Sequence, residues 1–173
     1  MPDSTPLLIG VLCKLANEAP NDEIARLLAL PKTVINPRAR EKHQKGSARI
    51  NYIVTAEGAS FEVYIRQNLL VPCAFSCGLT YLHSSGEKVT LMRCNGSDHR
   101  HSNPLERVDT IELRCHIHIA TQRYMEAGRK AEHYAEPTTL YSDVNGALLT
   151  LMSKCNIKGL DATATDQQNL LFP

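Results

Sequence analysis

Residues 111–119 read Ile111-Glu-Leu-Arg-Cys-His-Ile-His-Ile119, and their strict alternation of apolar and polar side chains predicts a β-strand. Successive side chains on a strand point to opposite faces. Ile111, Leu113, Cys115, Ile117 and Ile119 are therefore expected to face a core, while Glu112, Arg114, His116 and His118 share the other face. Two residues of rise separate the Cα atoms of His116 and His118 by roughly 6 to 7 Å. Both imidazoles can then reach one small object: a metal ion, a phosphate or a water. A second pair, His99-x-His101, lies just upstream, so four of the seven histidines fall between Cys94 and Thr121.

Two hairpins are expected before this strand. Ile50 to Val54 and Ser60 to Arg66 join through Ala56-Glu-Gly-Ala59, with Phe61, Val63 and Ile65 on one face and Glu62, Tyr64 and Arg66 on the other. Phe75 to Leu82 and Val89 to Cys94 turn at Ser84-Ser-Gly-Glu87. Helical spacing predicts a C-terminal amphipathic helix capped by Ser142, carrying Val144, Ala147, Leu148, Leu151, Met152 and Cys155, and stopped at Asn156. Two N-terminal helices are expected as well. One starts at Thr5-Pro6 with Leu8, Leu12 and Leu15; the other is capped by Asn21, with Ile24, Leu27 and Leu28 ahead of Pro31. The fold class is α+β: an antiparallel sheet of about five strands, packed with these helices and open on the histidine face. Residues 1–158 read as one domain and the polar 159–173 segment as a flexible tail.

Net charge is +1 and the pI about 7.7, which excludes a globally basic nucleic-acid binder and an acidic solvating chain. Charge is instead local. Lys32, Arg38, Arg40, Lys42, Lys45 and Arg49 stand against Glu41 alone, so the 32–49 segment reads either as a mobile basic arm for nucleic acid or a nucleotide, or as a solvated loop. Nine aromatics and no Trp argue against a base-stacking platform. The run from Leu7 to Cys13 is too short to span a membrane or lead export, so a cytoplasmic protein with six reduced cysteines and no membrane partner is expected.

The histidines support two chemistries. As a metal centre, His116 and His118 bind zinc or manganese together with His99, His101, Glu106 or Asp98, leaving a position for an activated water. Without metal, two histidines serve as general base and acid on a phosphodiester held by Arg114, Arg123 or Lys130. Arg38, Arg40 and Lys42 would hold the substrate backbone. The segment Gly128 to Tyr134 reads as a loop; folded over the histidine face, it would add Arg129, Lys130, His133 and Tyr134.

His99-x-His-x4-Glu106 resembles part of a cupin motif, but the flanking glycines and a second motif are missing, so that fold is not adopted. The ordered series Leu91-Met-Arg-Cys-Asn-Gly96, His101-Ser-Asn-Pro104, His116-Ile-His-Ile119, Tyr134-Ala-Glu-Pro137 and Cys155-Asn-Ile157 resembles an uncharacterised bacterial family of small proteins. That resemblance adds Asn103, Tyr134 and Pro137 to the site's rim. It implies accessory genes of mobile elements and phage-defence loci, which include toxins, nucleases and inhibitors. Gln168-Asn-Leu-Leu-Phe172 resembles the sliding-clamp binding peptide, with Gln168, Leu171 and Phe172 as the docking residues. Three functions remain: a histidine-dependent phosphodiesterase or nuclease, a binding protein that docks through the histidine face and the tail, and a sensor of nucleotides or small ligands.

Overall fold

A computed structural model of the chain describes residues 20–107 and 110–160. The helix expected from Pro6 and the docking peptide with Gln168, Leu171 and Phe172 lie outside these residues. The first described element is α1 (Pro20–Ala29), which buries Ile24 and Leu27 and half-buries Leu28 one turn apart, with Asp22 and Glu23 in its first turn. Strands β1 (Lys32–Val34), β2 (Lys42–Gln44), β3 (Ser47–Ala56), β4 (Ala59–Asn68), β5 (Phe75–Leu82) and β6 (Lys88–Asn95) follow. After a long connection come β7 (His116–Ile119), α2 (Gln122–Glu126), a 3-10 turn (Ala131–His133), β8 (Ala135–Pro137), α3 (Val144–Lys154) and β9 (Ile157–Lys158).

The strands form one sheet in the order β8-β7-β6-β5-β4-β3-β1-β9, with β2 also on β3. Neighbours are antiparallel except for β1 and β9. The β3–β4 turn places Glu57 (φ 33°) and Gly58 (φ 78°) in the left-handed region, as a two-residue hairpin that follows the twist of its strands requires. One face of the sheet is apolar. Val54, Phe61, Val63, Leu79 and Cys94 from it pack with Leu27 of α1 and Ala147, Leu148 and Leu151 of α3. Asp143, rather than Ser142, caps α3, its carboxylate accepting the Gly146 N–H at 2.8 Å.

The fold is mixed α and β as expected, but the sheet has nine strands among the described residues, not about five. The additional strands span two or three residues, too few for alternation to register. The 32–49 segment is therefore not a mobile arm. It holds β1, β2 and the start of β3, and Lys32 is buried within it. The strand expected over 111–119 is correct only from His116. Leu113 is exposed with φ 37°, and Ile111 instead forms an isolated bridge to His101. No helix among the described residues is long and apolar enough to cross a membrane.

Candidate metal centre

β7 gives the site its frame. Ile117 enters the apolar core while His116 and His118 face the other side of the sheet, as the alternation requires. That side is not open at this point. The 3-10 turn and the loop carrying His101 cover it beside the edge strand β8, so His116 and His118 are only 0% and 1% exposed, contrary to the expected cleft. The segment 128–134 does fold over the histidines: Glu132 O accepts from His118 Nδ1 at 2.9 Å, and β8 pairs Ala135 with His118.

His101 reaches the same point from the loop after β6. Gly96 allows that loop to leave the sheet; a Cβ there would fall 1.9 Å from the backbone oxygen of Cys73. Backbone bonds with Ile111 in both directions then fix His101. Its Nε2 lies 3.2 Å from Asn103 Oδ1. Asn103 is buried and held by exchanging two hydrogen bonds with the backbone of Ala135. Asn103 therefore orients His101 and does not form a substrate rim.

One nitrogen each of His101, His116 and His118 lies within 4.8 Å of the other two. The ring centroids of His101 and His116 are 5.5 Å apart, and those of His101 and His118 are 4.6 Å apart. Carbonyl oxygens only accept hydrogen bonds, so the contacts to Arg114 O (2.7 Å) and Glu132 O place the protons of His116 and His118 on Nδ1. Both Nε2 lone pairs thus point inward. Asn95 meets them there, its amide nitrogen 3.4 Å from His116 Nε2 and 3.2 Å from His118 Nε2, while its Oδ1 is buried without a partner.

All three histidines are held below the usual imidazole range, and burial is the first cause in each. For His118 the Arg93 guanidinium and the neighbouring rings add to burial and push the value down to about 2. The rings of this cluster are therefore neutral at pH 7. The folded protein binds fewer protons here than the unfolded chain, whose histidines titrate near 6.5. Stability is therefore complete above about pH 6.5 and falls as the pH drops below it. The slope reaches about 1.4 kcal/mol per pH unit for each buried histidine. Urea unfolding of chelator-treated protein at a series of pH values checks this, and a midpoint constant down to pH 5 would show that the rings titrate freely.

Other expected site residues are placed differently. His99 is exposed beside Asp98, its ring centroid 5.0 Å from that of His116, at the edge of the site. Glu106 is not a metal ligand, because Tyr124 Oη and Arg123 engage its carboxylate. Arg123 also lies over the Tyr134 ring, and Tyr134 Oη donates to Glu136, so both are occupied in structure. Arg114 contributes its carbonyl while its side chain is exposed, and Lys130 is exposed at the start of the 3-10 turn. Arg38 and Arg40 are exposed in the loop between β1 and β2, away from the histidines' strand.

Sequence reasoning did not single out Arg93 and Asn95. Both occupy the polar face of β6, paired with His118 and His116. The signal was present in Leu91-Met-Arg-Cys-Asn95, whose two polar residues are spaced for one face, but a single Asn or Arg on a strand carries no chemical signature. Arg93 lies 3.5 Å from Glu132, and its Nε is buried without a partner. No family model, curated protein or solved structure matches the chain, in keeping with the resemblance to an uncharacterised family.

Proposed function

We propose that His101, His116 and His118 hold a divalent zinc ion and that the chain hydrolyses a phosphodiester bond with it. The observation that carries this reading is the convergence of three neutral imidazoles, two with their lone pairs fixed inward by backbone carbonyls. An all-imidazole set suits zinc better than manganese, which favours oxygen. Tetrahedral zinc with nitrogens at about 2.1 Å needs them about 3.4 Å apart, so the cluster must close slightly. His101, half-exposed on its loop, has the most room to do so. The Asn95 amide places N–H groups against the two lone pairs where a cation would lie; rotating it presents the orphaned Oδ1 instead.

Three protein ligands leave a position for water, and zinc supplies an activated nucleophile at neutral pH. Hydrolysis would join a water oxygen to phosphorus as the ester P–O bond breaks, the water's proton passing to solvent and another being supplied to the leaving oxygen. His99, exposed beside His116, is placed to deliver that proton. A metal-free acid–base pair fits less well, because a buried His118 whose proton affinity is so far reduced is not a general acid at pH 7.

The test is zinc content after dialysis, followed by incubation with labelled RNA and DNA in zinc-loaded, chelated and zinc-restored protein. Cleavage should disappear with chelator and return with zinc. Failure to retain zinc favours a second reading, in which Asn95 ties His116 and His118 into a purely structural hydrogen-bond network.

A further inference from the structure

The sheet register aligns residues from six strands in one row on the face opposite the apolar core. Lys42 pairs with Arg49, Arg49 with Arg66, Arg66 with Ser76, Ser76 with Asn95, and Asn95 with His116. Directly paired residues present their side chains to the same face. The row therefore begins with three adjacent cations and ends at the histidine centre, about 24 Å away at about 4.8 Å per strand.

Like charges directly opposite one another destabilise a sheet. Among the described residues, Lys42, Arg49 and Arg66 form no ion pair with a carboxylate that would offset this. Over β3 to β6, the four middle strands of this row, runs an open groove of about 430 Å³, lined by Arg49, Arg66, Arg93, Asn95 and His99 among others, with no Asp or Glu in its lining. Gly78 makes room for one of its walls: a Cβ there would meet Tyr64 Oη at 2.6 Å, so the tyrosine side chain lies where another residue's side chain would stand. Within the groove, Arg93 has a buried guanidinium nitrogen without a partner.

Resting on the hydrolase reading above, we propose that this groove binds a single-stranded phosphodiester chain, laid across the strands from Arg49, with Lys42 beyond its end, to the histidine centre. Arg49 and Arg66 hold phosphates that flank the one presented to the zinc, and Arg93 meets the phosphate nearest the histidines. Its volume of about 430 Å³ suits a ligand of nucleotide to dinucleotide size. Tyr64 is the one full aromatic besides Phe75 in the lining, so recognition falls on the backbone and not on base identity.

Binding of fluorescein-labelled oligo(U) and oligo(dT) octanucleotides, a labelled dinucleotide and an octamer duplex is measured by anisotropy at about 50 and about 200 mM salt. Zinc-loaded wild type is compared with Arg49→Gln, Arg66→Gln, the double variant, and an Arg38→Gln, Arg40→Gln control. Each groove arginine lost is expected to weaken single-strand binding at least about tenfold and to reduce the salt slope by about 0.7. The control should change affinity less than about twofold, because its side chains lie outside the groove. Arg49 and Arg66 are exposed, so zinc content should stay at the wild-type value, while the melting temperature should hold or rise as the like-charge repulsion is relieved. Comparing the RNA, DNA and dinucleotide probes identifies the source of the chain. Equal losses in groove and control variants, no binding by the wild type, or equally tight binding of the duplex would each overturn the proposal. Arginine-dependent binding by protein that retains no zinc would uphold the groove and overturn the hydrolase.

Discussion

His118→Ala is expected to abolish stoichiometric zinc binding and to lower the unfolding free energy of the metal-free protein by about 2 to 4 kcal/mol. The side chain is 1% exposed, and its removal leaves a cavity beneath the 3-10 turn. It also strips Glu132 O of its side-chain donor and leaves the Asn95 amide with His116 alone of its two imidazole partners, in a buried environment. His99→Ala, at the exposed rim, should keep both zinc and stability while reducing turnover. Metal analysis after dialysis, with urea unfolding of chelated wild type and variant, reads both effects. Full zinc content in His118→Ala would remove the ligand assignment, and unchanged metal-free stability would contradict its burial.

Lys32→Met should cost about 3 kcal/mol or more without affecting the histidines. Lys32 Nζ donates to Leu28 O (2.9 Å), Leu30 O (2.8 Å) and Cys155 O (2.8 Å). These carbonyls belong to the chain leaving α1 and to the C-terminal cap of α3, where helices lack internal donors. One ammonium therefore joins two helix ends, on which negative partial charge accumulates. Burial opposes this and lowers the Lys32 pKa to about 8. Methionine keeps an apolar stem but removes the ammonium from over the Phe61 ring and leaves three carbonyls without a donor. Arginine should not rescue the loss, since its planar fork cannot aim three hydrogen bonds at one point. The difference in urea midpoint between wild type and Lys32→Met checks this, and near-wild-type stability would show that water replaces the ammonium.

Periodicity alone located α1, the β3–β4 and β5–β6 hairpins and the face of Ile117, because each spans enough residues to bury a continuous apolar stripe. It also brought His101, His116 and His118 under suspicion through their two His-x-His spacings. Three outcomes lay beyond it. Whether the histidine face was open depended on 131–137, which reaches it only through β8 pairing and the Glu132 carbonyl. Lys32 read as one more solvated cation, since nothing local shows that two helix ends meet at its ammonium. The row from Lys42 through Arg49 and Arg66 to His116 was likewise invisible, because those residues are distant in sequence and only strand register makes them neighbours. A linear pattern determines which residues a strand turns away from the core. Cross-strand pairing, which depends on the whole sheet, decides what they face there.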